Sequence, residues 1–261
     1  MTGAELDRLA LAFAGLASQA GAVVMAVYAT DFAVRSKDDS SPVSDADEAA
    51  EALLVPGVEQ LLPGVPIVAE EAVARGECPA VGETFVMIDP LDGTKEFVSR
   101  NGEFTVNVAL VHGGVPVAGC VYAPARAALY VGGATAGWAA VPPGAEVGPL
   151  RPVRTRPYPA AGLVAVTSRS HRDAPTDAFL SGLPVTEVRD AGSSLKFCLV
   201  ATGEADVYPR FGPTMEWDIA AGHAVLAAAG GSVLTPEGLP LRYGKPSFRN
   251  PPFVAWGGPV W

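Results

Sequence analysis

Leu6, Leu9, Ala10, Phe13, Leu16, Ala17, Ala20, Val24 and Val27 recur at helical spacing near the start of the chain. They share one face and predict a packed N-terminal helix. The run over residues 9–29 is apolar enough to raise a signal peptide or a membrane span. Glu5 and Asp7 precede it with Arg8 as the only early base, and Ser18 and Gln19 interrupt it, which disfavours both. Residues 36–44 are polar and predict a loop. Residues 45–54 predict a second helix with an acidic first turn. Apolar and β-branched runs predict strands at 65–69, 84–88, 104–111, 115–122, 129–131 and 137–140, with His112-Gly113-Gly114 as a hairpin turn.

Residues 141–161 are rich in proline and poor in helix signals, which predicts a boundary near residue 146 between domains 1–146 and 147–261. Beyond it the pattern alternates: strand 163–166, helix 194–201, strand 205–208, helix 217–229 closed by Gly230-Gly231, strand 232–234. The expected class is α/β, with an α+β N-terminal half and an α/β C-terminal half.

A chain of 261 residues with 49% hydrophobic content can build a substantial core. The net charge of −10, from 28 acids and 18 bases, disfavours a nucleic-acid partner. It does not exclude a small anionic substrate, because clustered carboxylates holding divalent cations invert the local field. Cys78, Cys120 and Cys198 are odd in number and lack metal-ligand spacing, so they read as reduced thiols of a cytosolic protein.

Five acids fall where predicted elements begin or end: Asp47, Glu70, Asp89, Asp92 and Asp218. Asp89 emerges from the buried-strand run ending at Ile88, and Pro90 and Gly93 predict that the strand stops there. Mg²⁺ takes oxygen ligands at about 2.0–2.1 Å and keeps waters that a substrate can displace. Two such ions about 3.5–4 Å apart clamp a phosphate, and Asp89 suits the bridging position. Asp89-Pro90-Leu91-Asp92-Gly93 lacks the alternating acids of an EF-hand, and there is no zinc-protease helix motif, nucleophile elbow, Walker loop or dinucleotide fingerprint. Taken singly, each acid is most simply a solvated residue; the group is what points to a metal.

Asp89-Pro90-Leu91-Asp92-Gly93-Thr94, with Glu70-Glu71 upstream and Trp217-Asp218-Ile219-Ala220-Ala221-Gly222 downstream, resembles the inositol monophosphatase superfamily of Mg²⁺-dependent, lithium-sensitive phosphatases. Within it, the chain resembles the bacterial 3′(2′),5′-bisphosphate nucleotidases of the CysQ type. That closer likeness rests on Gly93-Thr94-Lys95-Glu96-Phe97, Arg100 through Asn107, Ser168-Arg169-Ser170-His171, Gly192-Ser193-Ser194-Leu195-Lys196-Phe197-Cys198 and Tyr208-Pro209-Arg210-Phe211-Gly212-Pro213-Thr214. An inositol monophosphatase typically carries Thr-Asn in place of Lys95-Glu96.

The resemblance implies a layered αβαβα sandwich with its site in the cleft between two halves. It implies one metal on Glu70, Asp89 and the Leu91 carbonyl, a second on Asp89, Asp92 and Asp218, and a third, weaker ion near Glu70. It further implies that Asp47 pairs with the Thr94 hydroxyl and, with Glu70, activates water, while Gly93 and Thr94 offer N–H groups to the phosphate. Many relatives have threonine at Ser44. On the substrate side, Ser168, Arg169 and His171 follow a strand, and Gly192, Ser193 and Ser194 open a helix whose N–H and hydroxyl groups would take a second phosphate or a ribose oxygen. Lys196 would add charge, and Tyr208 and Arg210 stacking and charge near a base.

The implied reaction is loss of the 3′-phosphate from 3′-phosphoadenosine 5′-phosphate, by in-line attack of water without a covalent intermediate, clearing a by-product of sulfate assimilation. The partner would be a small bisphosphate nucleotide, with no nucleic acid and no obligatory protein, on a monomer or homodimer. The location would be cytoplasmic; some relatives are assigned to the inner face of the inner membrane. The rivals are an inositol or sugar phosphatase with the same metals and, more distantly, a non-catalytic nucleotide or metal sensor.

Overall fold

The computed structural model describes residues 1–30 and 42–259, so most of the expected loop at 36–44 lies outside the described residues. Helix α1 (Gly3–Tyr28) starts at a reciprocal cap. The Thr2 hydroxyl accepts from the Glu5 N–H at 3.4 Å, and Glu5 Oε2 accepts from the Thr2 N–H at 2.6 Å. Two donors otherwise orphaned at the helix start are thereby satisfied. Helix α2 (Pro42–Leu61) begins before the expected Asp45, since proline suits a first helical turn.

The first sheet runs in chain order: β1 (Ile67–Ala69), β2 (Thr84–Asp92), β3 (Thr105–His112), β4 (Val115–Ala123), β5 (Ala128–Gly132), β6 (Ala136–Ala140) and β7 (Arg151–Pro152). β1 lies parallel to β2, and the other pairs are antiparallel. Short helices α3 (Glu70–Ala74) and α4 (Thr94–Val98) follow β1 and β2. β7 pairs with β6 from the C-terminal side of residue 146.

The second sheet comprises β8 (Leu163–Ser168), β9 (Val185–Ala191), β10 (Val207–Arg210), β11 (Ser232–Leu234) and β12 (Phe253–Trp256), in the order β11-β12-β10-β8-β9. Helices α5 (Ala174–Ser181), α6 (Leu195–Ala201) and α7 (Glu216–Ala228) complete the chain.

Three apolar clusters separate five layers. Phe13, Ala14, Ala17, Ala20 and Val24 of α1 pack with Leu54 and Val58 of α2 on Val86, Ile88, Val106, Val108 and Leu110 of the first sheet. The apolar length of α1 passes the simple test for a membrane span, but this face is spent on the core. The other face of that sheet meets α6 and α7, which in turn cover the second sheet. The outer face of the second sheet packs on Leu180 of α5. Helix α7 is apolar on every side, as a helix held between two sheets must be. At Gly132 a Cβ would stand 2.5 Å from the α7 backbone, so only glycine lets helix and sheet come this close. The αβαβα sandwich is therefore present.

Two expectations need correction. Strand β2 does not stop at Ile88 but continues through Pro90 to Asp92, because a register shift between Asp89 and Asp92 absorbs the proline. Elements α5, β9 and β12 carry no clear periodicity; β9 in particular lies at a sheet edge with residues 186–190 exposed. Cys78 is exposed, Cys120 and Cys198 are buried, and all three are free thiols.

Candidate active site

The bulge in β2 decides where its acids point. Asp89 pairs with Asn107 and Asp92 with Thr105, so one extra residue is inserted on the β2 side. In a regular strand residues three apart face opposite ways; the insertion turns Asp92 onto the side of Asp89. The Leu91 N–H donates to Asp89 Oδ1 at 3.1 Å. Gly93 then takes φ 95°, where a Cβ would stand 3.3 Å from both Phe104 Cα and Ser193 Cβ, and starts α4. The parallel pairing of Ala69 with Ile88 sets Glu70 beside Asp89. Asp218 arrives from the other half in the first turn of α7, its Oδ2 accepting from the Met215 N–H at 2.8 Å.

Glu70, Asp89 and Asp218 each offer a carboxylate oxygen, and these atoms lie within 4.8 Å of one another. Burial, then the negative neighbours Glu70, Asp92, Asp218 and Asp47, pushes the Asp89 carboxyl well above the usual range. Burial followed by Asp92 does the same to Asp218. Burial followed by Asp92 and Glu71 lifts Glu70 to about 7, and burial followed by Glu70 lifts Asp47 to about 8. A buried group of carboxylates, all hard oxygen donors and mutually repelling, fits a divalent cation that would neutralise it.

The shifts fix a sign for the pH dependence of stability. Carboxyls titrating above their ordinary range give the fold protons that the unfolded chain releases near pH 4. Stability from Asp47 and Glu70 is therefore complete below that value and lost as pH rises through about 7 to 8. With a chelator present, the melting temperature should fall by about 5 °C or more between roughly pH 5.5 and pH 8. Millimolar Mg²⁺ should remove most of that fall. Scanning fluorimetry checks both, and a flat or rising profile without metal would contradict the repulsion.

A cleft of about 620 Å³ opens on this cluster, lined by Glu70, Asp89, Leu91, Asp92, Gly93, Thr94, Ser168, His171, Ser193, Ser194, Lys196, Tyr208, Arg210 and Asp218. Of the residues singled out in the sequence, Asp47, Arg169 and Gly192 do not line it. Asp47 is buried near Glu70, and no hydrogen bond joins it to Thr94 among the described residues. The Thr94 side chain is instead exposed at the cleft wall.

Several substrate-side groups are already engaged within the protein. Ser193 Oγ and the Ser194 N–H donate to Asp92 Oδ2 at 2.5 and 2.8 Å, and Ser194 Oγ donates to the Asp218 carbonyl at 2.5 Å. These groups support two acids of the cluster and are not free for a second phosphate. Tyr208 is buried in β10 with its ring edge-to-face against Phe197 and Phe253, at 5.2 and 5.6 Å between centroids, which leaves no face for a base. Arg169 is bound to Glu103.

The opposite wall is cationic. Lys196 Nζ is buried, donates to the Ala191 and Ser193 carbonyls at 3.3 and 2.5 Å, and lies 5.3 Å from the Tyr208 ring centroid. Burial pulls its amine down to about 8, with Asp92 opposing and Arg210 reinforcing. The buried Arg210 guanidinium donates to the His171 and Pro213 carbonyls at 3.4 and 3.0 Å. It has no carboxylate partner among the described residues, and its Nε is unsatisfied. Lys95 Nζ lies 3.0 Å from His171 Nε2, and Ser170 Oγ donates to Glu96 Oε1 at 2.6 Å. The Lys95-Glu96 pair thus joins α4 to the loop after β8. Burial, then Arg210 and Lys95, lowers the His171 pKa, in keeping with a neutral ring accepting from Lys95. Sequence reasoning missed Arg172 and Asp173 on the cleft wall, and it gave no role to Phe197, Pro213 and Ile219 there or to the supports Glu103 and Thr105, although these fall inside the motifs that carry the resemblance.

A layered αβαβα chain with an acid cluster where β2, α3 and α7 converge is built as a metal-dependent phosphatase. The chain belongs to the inositol monophosphatase family, whose model matches residues 5–254. It is 45% identical over 241 residues to the 3′(2′),5′-bisphosphate nucleotidase CysQ of Escherichia coli strain K12, covering 91% of this chain and 95% of that protein. A protein of the same description from Buchnera aphidicola is 38% identical over 245 residues, 92% of this chain and 90% of that one. The crystal structure of CysQ from Bacteroides thetaiotaomicron superposes with a TM-score of 0.83 at 37% identity, covering 96% of this chain and 97% of that one. The inositol monophosphatase of Anabaena superposes with a TM-score of 0.75 at 25% identity, over 97% and 92%. The chain is accordingly a phosphatase, a hydrolase of the phosphoric monoester class.

Proposed function

We propose that this phosphatase is a Mg²⁺-dependent 3′(2′),5′-bisphosphate nucleotidase, converting 3′-phosphoadenosine 5′-phosphate to AMP and phosphate in the cytoplasm as part of sulfur metabolism. The observation that carries it is the pairing, in one cleft, of the acid cluster with a buried cationic wall. Arg210 there has no carboxylate partner among the described residues, and Lys196 is held only by carbonyls. A metal cluster alone serves one phosphate. An uncompensated guanidinium beside a buried amine calls for a second anion.

Glu70, Asp89, the Leu91 carbonyl, Asp92 and Asp218 would hold two Mg²⁺, with a third, weaker ion near Glu70. Bound there, the metal supplies charge that steadies the phosphoryl oxygens and makes water acidic enough to attack. Glu70 would take a proton from the attacking water at its carboxylate, its affinity for the proton raised by burial and then by Asp92 and Glu71, with Asp47 buried nearby. The Gly93 and Thr94 N–H groups and the Thr94 hydroxyl orient the scissile phosphate. Lys196, Arg210, Lys95 and His171 orient the other phosphate, and Ser168 the sugar. Residues 1–146 thus supply most of the acids, and 147–261 supply Asp218 and most of the cations.

The rival substrate class is an inositol or sugar phosphate on the same metals. Phosphate release at fixed Mg²⁺ from 3′-phosphoadenosine 5′-phosphate, inositol 1-phosphate and fructose 1,6-bisphosphate, side by side, separates the two. The nucleotide should be preferred by at least about tenfold in kcat/KM, a difference of about 1.4 kcal/mol in transition-state binding. Equal or better turnover of the sugar phosphates would overturn the substrate while leaving the acid cluster in place.

A further inference from the structure

Glu103 collects donors from both halves of the molecule. It lies between α4 and β3 and is only 6% exposed. Its Oε2 accepts from the Gly192 N–H at 2.8 Å and from Arg169 Nε at 3.0 Å. Its Oε1 accepts from Arg126 Nη2 at 2.7 Å and from Arg169 Nη2 at 3.1 Å. Arg126 stands in the turn between β4 and β5 of the first sheet, whereas Arg169 and Gly192 follow β8 and β9 of the second. Burial alone would raise this carboxyl; Arg169, the Gly192 N–H and Arg126 outweigh it and keep Glu103 ionised.

What Glu103 grips leads directly to the acid cluster. A Cβ on Gly192 would stand 2.5 Å from Glu96 Cγ and 2.8 Å from the Glu103 carbonyl oxygen, so the loop is pressed against this carboxylate's own backbone. The next residue, Ser193, has φ 53°, a left-handed conformation that a serine keeps only where its surroundings enforce it. Its hydroxyl and the Ser194 N–H are the two donors on Asp92 Oδ2, and Thr105 Oγ1 lies 2.5 Å from the same hydroxyl.

We propose that Glu103 is a positioning residue for metal binding: by holding the Gly192 N–H and Arg169, it keeps residues 192–194 in the strained form in which Ser193 and Ser194 orient the Asp92 carboxylate. The inference rests on the assignment of Asp92 as a metal ligand made above. Groups that orient ligating carboxylates from behind commonly govern metal affinity.

The test uses Mn²⁺ alone as probe, titrated into the full chain without substrate, with the free ion counted by electron paramagnetic resonance. Glu103→Gln should weaken Mn²⁺ binding about tenfold. In a Ser193→Ala background, where one of the two donors on Asp92 is already gone and only the Ser194 N–H remains, the same change should weaken it by a clearly smaller factor. Unchanged affinity in Glu103→Gln, or the full loss regardless of residue 193, would overturn the proposal. Should Glu103→Gln fail to fold, Arg169→Gln keeps the Gly192 contact and should weaken binding about threefold; unaltered affinity there overturns it equally. A native chain that binds Mn²⁺ yet releases no phosphate from the nucleotide would defeat the proposed function and leave this tie standing.

Discussion

Asp89→Asn is expected to reduce Mg²⁺-dependent phosphate release by about 10³-fold, corresponding to several kcal/mol of lost charge stabilisation, and to make the metal-free protein more stable. Both effects come from one fact. Asp89 is buried among Glu70, Asp92, Asp218 and Asp47, and its ionised form is repelled by all of them. An asparagine keeps the volume and the acceptor for the Leu91 N–H, but removes one charge from the cluster. The melting temperature without metal should therefore rise by about 2–5 °C. The gain should be larger near pH 8 than near pH 5.5, because protons relieve the same repulsion at low pH. Turnover and scanning fluorimetry on one preparation check the pair. A variant with near-normal turnover, or one less stable than the parent without metal, would count against the metal site.

Arg210→Gln should lower kcat/KM for 3′-phosphoadenosine 5′-phosphate by about 10²-fold, in the range for removing one partner of a buried charged contact. On inositol 1-phosphate the loss should stay within about threefold. The guanidinium is buried, its Nε is unsatisfied, and its protein partners are the carbonyls of His171 and Pro213, so an anion in the cleft is its natural counterpart. On the proposed reading Arg210 pairs with the second phosphate of the nucleotide, which a monophosphate seated on the acid cluster lacks. Equal losses on both substrates would show that Arg210 shapes the cleft rather than reading the second phosphate. Calorimetry with the product AMP, which retains the 5′-phosphate, would separate binding from turnover.

The acids of the cluster were legible because each is tied to a local break in pattern. Asp89 ends an apolar run, Glu70 follows a short strand, and Asp218 opens an apolar helix beside Trp217. The serines were read for their donors but not for where those donors go. Ser193 and Ser194 looked available to a ligand, and the structure gives them to Asp92 and Asp218. Tyr208 looked like a platform for a base and is instead packed between Phe197 and Phe253. Arg169 looked like a substrate contact and is paired with Glu103, 66 positions away. Such partners are set by which sheets face one another, and periodicity says nothing about that.

The sequence by itself determined the class of elements, the apolar faces of α1 and α7, the hairpin of β3 and β4, and the residue types that make a hard-oxygen metal site. Local propensity and spacing suffice for these, because neighbours along the chain dictate them. Tertiary structure alone decided that a bulge carries β2 through Pro90 and turns Asp92 toward Asp89, and that the pairing of β1 with β2 seats Glu70 beside them. It also decided that Asp218 and the cations Lys196 and Arg210 meet this corner from the other half. Charges far apart in sequence change one another's protonation only once burial strips away water and brings them together.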